Sequence, residues 1–151
     1  MINEEMEKYL TEIKIPIRLS FADSSGWPMI VSLWFVYEDG RFKCATKENA
    51  FVVKCLRNEP RCGFEIAADI LPYCGIRGKG RALINKKDGV RILRILLNRY
   101  LGNEDSSIAK LLLKQSSQEV AIELIPESIF SWNFNKRMED AVLEKRSLPC
   151  P

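Results

Sequence analysis

Residues 28–82 constrain the fold more than any other part of the chain. They open as a nearly continuous apolar, β-branched and aromatic run, P-M-I-V-S-L-W-F-V-Y, break at Glu38-Asp39-Gly40, and resume as R-F-K-C-A-T. An Asp-Gly pair between two strand-like runs carries the chemistry of a tight hairpin, whose central positions need positive φ. The run over 29–37 has too few polar residues for a half-exposed strand, so it is expected to be covered on both faces. Further on, P-Y-C-G-I-R-G-K-G-R-A sets Gly75, Gly78 and Gly80 inside another strand pattern. Glycines there mark a bulge, a barrel corner, or a place where a ligand or second backbone comes close. The spacing is wrong for a dinucleotide-binding turn, and more strand follows instead of a helix.

The flanking pattern extends this into an α+β arrangement. Asn3 is placed to cap a short helix carrying Met6, Leu10 and Ile13 on one face. Ile17, Leu19 and Phe21 then alternate with Arg18, Ser20 and Ala22 as a half-buried strand, and Asp23-Ser24-Ser25-Gly26 reads as a turn. Asn49 is expected to cap a helix reaching about Leu56, stopped before Pro60. Strands are predicted over 61–67 and 74–85. A helix capped by Asp88 and ended by Gly102 follows, then a second over about 105–114. Residues 119–125 alternate as a strand, Pro126 interrupts, and 129–134 resume it. Five or six strands without strict βαβ alternation predict an antiparallel, barrel-like sheet with short helices. Residues 1–135 are expected to form one domain, and 136–151 a charged tail with a solvated helix and loose end.

Composition removes whole classes of chemistry. The 151 residues contain no histidine, which excludes Ser-His and Cys-His nucleophile systems, imidazole metal ligands and a histidine haem ligand. Cys44, Cys55, Cys62, Cys74 and Cys150 include no Cys-x-x-Cys pair, so a zinc site is not expected. They are expected as small buried residues in a reducing compartment, with a disulfide as the alternative and no pair chosen by spacing. A net charge of +3 with interspersed signs argues against a nucleic-acid surface. The acidic start and the lack of any long apolar run give the expectation of a cytoplasmic protein without a membrane span.

Two constellations could hold a ligand. Thr46, Lys47 and Asn49 fall where a strand runs into a helix N-terminus, so hydroxyl, ammonium, amide and free N–H groups could favour a phosphate-sized anion. Lys54 and Arg57 could add positive charge from the same helix. Trp34, Tyr37, Tyr73 and Trp132 lie beside polar or strand-end positions and suit a planar ring with one polar edge. No acid–base role is assigned to Glu104, Asp105, Glu139, Asp140 or Glu144, which fall near a helix start or in the tail.

Four segments taken together resemble a known family. W-F-V-Y-E-D-G-R-F-K-C-A-T, A-F-V-V-K-C-L-R-N-E-P-R-C-G-F-E-I, P-Y-C-G-I-R-G-K-G-R-A and E-V-A-I-E-L-I-P-E-S-I-F-S-W-N-F-N-K-R-M are similar, in that order, to the pyridoxamine 5′-phosphate oxidase-like proteins of the flavin-binding split-barrel fold. The resemblance implies a six-stranded antiparallel split β-barrel with short flanking helices, a homodimer, and flavin mononucleotide (FMN) in clefts between subunits. It places Ile30, Val31, Ser32 and Trp34 along the flavin ring, Cys44, Ala45 and Thr46 at backbone and hydroxyl contacts, and Lys47, Asn49 and Lys54 towards the phosphate. Tyr73, Arg77 and Trp132 would approach from neighbouring parts of the dimer. The implied activity is that of a small flavin-dependent oxidoreductase acting on a small molecule, with no catalytic side chain assigned. In place of a Ser-Arg-Lys type phosphate clamp, this sequence has Ala50-Phe51-Val52. That leaves open a deazaflavin, or a non-enzymatic dimeric scaffold with no cofactor.

Overall fold

The structure is a computed structural model that describes residues 2–141 and 150–151. In chain order the elements are α1 (Glu4–Glu12), β1 (Ile17–Ala22), β2 (Pro28–Leu33), β3 (Val36–Glu38), β4 (Arg41–Lys47), α2 (Phe51–Asn58), β5 (Arg61–Ala67), β6 (Cys74–Asn85), α3 (Gly89–Leu101), α4 (Ser107–Lys114) and β7 (Glu119–Asn133). Short 3-10 turns occupy Ser116–Gln118 and Lys136–Ala141. All seven strands join one antiparallel sheet in the order β2-β1-β5-β6-β7-β4-β3.

The strand order dictates the shape. β2 and β3 are the two edges, yet only Trp34 and Phe35 separate them in sequence. A connection this short can span only about 10 Å, so the sheet must curl until its edges nearly meet. The result is a split barrel of seven strands, not six, and it is not closed. The extra strand arises because the apolar run over 29–37 is not one strand covered on both faces; it breaks at the Trp34-Phe35 corner. Along β2, Pro28, Met29 and Ile30 are exposed in the single chain. In compensation, the two segments expected around Pro126 are one strand, β7, which absorbs an irregularity where Lys79 pairs Ser128 and Gly80 pairs Pro126.

The barrel core follows the period-2 reading. Ile17, Leu19 and Phe21 point inward from β1 and meet Phe35, Phe42, Phe64, Ile66, Ile76, Val120, Ile122 and Leu124. α1 and α2 cover this core through Met6, Tyr9, Leu10, Val52, Val53, Cys55 and Leu56. The hairpin forms at the expected place, with Asp39 at φ 54° and Gly40 at φ 73°. Asn3 caps α1 by accepting the Met6 N–H at 2.9 Å, and Gly102 ends α3 in the left-handed conformation. Two expected caps differ. Ala50, not Asn49, occupies the N-cap position of α2 and offers no side-chain acceptor, while the Asp88 carboxylate turns to Arg91 instead of the helix N–H groups.

The glycine-spaced strand resolves towards backbone approach, not ligand approach. A Cβ at Gly78 would lie 2.1 Å from the Ser128 carbonyl oxygen, and one at Gly80 would lie 2.2 Å from that of Ile125. The longest ladder in the sheet, β6 on β7, therefore needs bare backbone on β6 at its bulge.

Cys74 and Cys150 form a disulfide, with Cα atoms 5.9 Å apart, so the expectation of five reduced cysteines is corrected for this pair. Cys44, Cys55 and Cys62 are the small buried residues expected, and burial pushes the Cys44 and Cys62 thiols up to about 12. The expected tail helix falls largely on residues 142–149, outside those described.

A charged cluster ties the hairpin to α3. Glu38 accepts from Arg91 at 2.8 Å and from Lys43 at 2.7 Å, and Arg91 also holds Asp88 at 2.6 Å. Arg91 and then Lys43 hold the Glu38 carboxyl down at about 2. A carboxylate with a depressed folded-state value stabilises the fold above its unfolded value, and that contribution is lost as pH falls towards the folded one. Glu38→Gln should therefore cost about 1–2 kcal/mol at neutral pH, since about a third of this side chain reaches solvent. It should also flatten the loss of stability between pH 4.5 and about 2, measured by urea unfolding at each pH. Gly78→Ala should cost about 2–3 kcal/mol or prevent folding, because the obstructing atom is backbone and cannot rotate away. A urea midpoint within error of the parent would contradict that reading of the bulge.

Candidate functional site

The cleft with the richest side-chain chemistry lies outside the barrel, where α3 and α4 cover β4 and β7. α3 can pack closely because Ala45 and Ala121 sit opposite each other in the β4–β7 register and present only methyl groups. Ile92 and Leu96 close over them, while Leu93, Leu97 and Ala109 form the adjoining contact with α4. The first residue of α3, Gly89, rests on the start of β7, where a Cβ would stand 2.2 Å from the Glu119 carbonyl oxygen. These contacts set the helix pair at a fixed height above the sheet. Between them and the β2–β3 corner opens a cavity of about 320 Å³ lined by Ser32, Leu33, Trp34, Ala45, Thr46, Lys47, Leu93, Leu96, Leu112 and Glu119. That volume is at the lower end of the range for small-molecule pockets.

Trp34 is held from behind. Its ring stacks on Tyr100 of α3 with centroids 4.9 Å apart and planes within 7°. The Tyr100 hydroxyl donates to the Ile15 carbonyl at 2.9 Å and accepts the Phe35 N–H at 3.3 Å, and burial pushes its phenol above the ordinary value. The indole consequently has one fixed plane. Beside it, β2 pairs only with β1, so the backbone N–H and C=O groups on its other side have no strand partner. An aromatic plane next to an open strand edge suits a flat ring with a polar rim.

The base of the cleft is an ion pair. Lys47 Nζ lies 2.7 Å from Glu119 Oε1 and also donates to the Gln115 carbonyl, and the Glu119 side chain is only 5% exposed. Lys47 is thus already engaged. The other charges at the strand-to-helix connection are also paired, since Glu48 holds both Arg57 (3.0 Å) and Lys86.

Among the residues singled out from the sequence, Ser32, Trp34, Ala45, Thr46 and Lys47 come together at the cleft. Ile30 lies on the same outer face of β2 as Ser32 and is 72% exposed, whereas Val31 points inward and packs on the core. The Cys44 side chain is buried inside the barrel, which leaves only its backbone for a ligand outside. Asn49 and Lys54 are exposed at the start and middle of α2. Tyr73, Arg77 and Trp132 are elsewhere on the outer face. Arg77 is in transverse register with Ser32 through Arg18 and Glu65, three strand spacings or about 14 Å away. Tyr73 and Trp132 sit at the far end of the β6–β7 ladder from Glu119, where the buried Trp132 indole nitrogen has no hydrogen-bond partner.

Leu93, Leu96, Leu112 and Glu119 line the cleft without having been singled out. One signal was available for Glu119. Lys43 and Lys47 are four residues apart, as are Glu119 and Glu123, and antiparallel pairing sets them opposite each other.

No protein-family model matches the chain, and no curated protein sequence does. Solved structures do. A conserved hypothetical protein from Mycobacterium tuberculosis aligns with a TM-score of 0.76 at 20% identity, over 97% of this chain and 91% of that one. An F420 reductase aligns with a TM-score of 0.68 at 17% identity, over 85% and 98%. A pyridoxamine 5′-phosphate oxidase homologue of Listeria innocua aligns at 0.61 and 16% identity, over 81% and 91%. The fold is that of the pyridoxamine 5′-phosphate oxidase-like split barrels, as the four sequence segments indicated. Among the described residues no helix is long and apolar enough to cross a membrane, and no cluster of potential metal ligands occurs.

The buried ion pair yields a test of the site's architecture. Lys47→Met strands the Glu119 carboxylate in the cleft and should cost about 2–3 kcal/mol. Lys47→Met with Glu119→Leu should recover more than half of that loss in urea unfolding. Additive losses in the double variant would show that the two side chains do not depend on each other.

Proposed function

We propose that the protein binds a tricyclic flavin-type ring, flavin or deazaflavin, in the Trp34 cleft, and works as a dimeric oxidoreductase on a small molecule. The observation that carries this reading is the fixed Trp34 plane beside the unpaired edge of β2, over a floor of Ala45 and Leu96. The apolar ring body would lie against Trp34, Leu93 and Leu112. Its polar rim would face backbone groups of residues 30–33 and the Ser32 hydroxyl. When bound, such a ring supplies hydride or single-electron transfer, so the protein need contribute only position, desolvation and polarity. Support also comes from the fold, shared with an F420 reductase and a pyridoxamine 5′-phosphate oxidase homologue.

A second copy of the chain fits the outer face of the sheet. Ile30, Leu83 and Phe130 (61% exposed) stand out there, with Trp27 (69% exposed) and Tyr73 just before β2 and β6. Exposed large apolar side chains on one sheet face call for a cover. An isologous partner would cover the same set on both copies.

The deciding experiment is the visible spectrum and native mass of the protein as isolated and after incubation with flavins. The expected result is a dimer carrying one flavin-type chromophore per chain, with Trp34→Ala weakening ring binding at least tenfold. A colourless dimer that quenches no flavin fluorescence would instead support the non-enzymatic scaffold.

A further inference from the structure

The ring end and the tail end of a flavin meet different chemistry in this protein. The ring end finds apolar walls, one aromatic plane and free backbone groups. The tail end would approach Lys47 and the strand-to-helix connection, where carboxylates already engage Lys47, Arg57 and Lys86 and leave Lys54, exposed further along α2, as the cation there without one among the described residues. Lys47 is bound by Glu119 and by the Gln115 carbonyl, and Arg57 and Lys86 are both bound by Glu48. At the start of α2, Ala50, Phe51 and Val52 bring no hydroxyl, guanidinium or ammonium.

The Lys47 ammonium has one hydrogen left beyond those given to Glu119 and to the Gln115 carbonyl. A phosphate dianion that took it would share a single cation with the buried Glu119 carboxylate and stand beside that like charge. Two anions on one cation in a buried setting repel each other, which penalises the phosphate. An uncharged hydroxylated tail makes no such demand. It can donate to Glu119 or accept the remaining hydrogen of the Lys47 ammonium while the ion pair stays intact.

We propose that Glu119 makes this cleft selective for flavin-type ligands with a neutral tail, riboflavin or its deaza counterpart, over the corresponding phosphate. The inference rests on the flavin reading given above and assigns Glu119 as the residue that sets tail specificity.

The test is a pair of fluorescence titrations of the unaltered protein, one with riboflavin and one with FMN, repeated on Glu119→Gln. Riboflavin is expected to bind at least fivefold more tightly than FMN. In Glu119→Gln, Lys47 is released from its carboxylate, so FMN should tighten at least fivefold while riboflavin changes less than twofold. Equal or tighter FMN binding by the unaltered protein would overturn the proposal without touching the flavin reading. An unchanged ratio in a folded Glu119→Gln protein would overturn the role of Glu119. If neither ligand quenches, the flavin reading falls and the specificity proposal falls with it.

Discussion

The constraint on which the rest of the molecule depends is the two-residue corner Trp34-Phe35. Side chains alternate across an extended backbone, so one residue of the pair must face the barrel interior and the other the outside. Phe35 enters the core, fully buried, and meets Phe42 edge-on at 5.9 Å. Trp34 goes out onto Tyr100. The corner is therefore fixed from both sides. The adjoining Arg99 guanidinium donates to the carbonyls of Leu10, Thr11 and Ile13 at 2.6–2.7 Å and lies 5.6 Å from the Phe35 ring centroid. One turn of α3 thereby joins the C-terminus of α1, the barrel corner and the helix layer. The Arg99 Nε has no partner, so the carbonyl contacts and the aromatic faces account for its place.

The cleft is a consequence of this corner and of the way the outer face is covered. α3 lies over Ala45 and Ala121, where the outer surface of the sheet is low enough to accept a helix closely. On either side of that strip the outward residues are long and charged. Lys43 with Glu38, Arg41 with Glu123, and Lys47 with Glu119 border the helix layer as ion pairs. Three of their members, Lys43, Glu119 and Glu123, are buried, which explains why they are paired. The charged base of the cleft thus has a structural origin before it has any bearing on ligands.

What was legible in the sequence was local. The Asp39-Gly40 turn, the alternation of Ile17, Leu19 and Phe21, the Asn3 cap and the Gly102 stop each depend on a few neighbouring residues, and each appears in place. The break at Trp34-Phe35 was not legible, because an apolar run looks the same whether it is one covered strand or two edge strands turning a corner. The α2 cap was misplaced by one residue, since Asn49 and Ala50 are both compatible with the pattern and the backbone decides. Least accessible were pairings between distant positions. Lys47 finds Glu119 through the β4–β7 register, and Cys74 finds Cys150 across 76 residues. A lysine beside a helix start looks like an anion ligand until its partner is known.

The placement of Arg77 and Trp132 bears on how the outer face could work as a unit. In one chain these residues stand apart from the cleft, with Arg18 and Glu65 lying between Ser32 and Arg77 in the same transverse row. Arg18 is fastened to the Ala67 carbonyl and Asp69, so that row is a stiff surface and cannot fold Arg77 over onto Ser32. Within one chain, that row keeps Arg77 away from the cleft. In the proposed isologous dimer, each copy would present the β6–β7 end to its partner while receiving the same end in return. The exposed Ile30 and Phe130 sit at opposite flanks of that face, on β2 and β7. A cover that spans both would also span the row between them and close the open side of the Trp34 cleft.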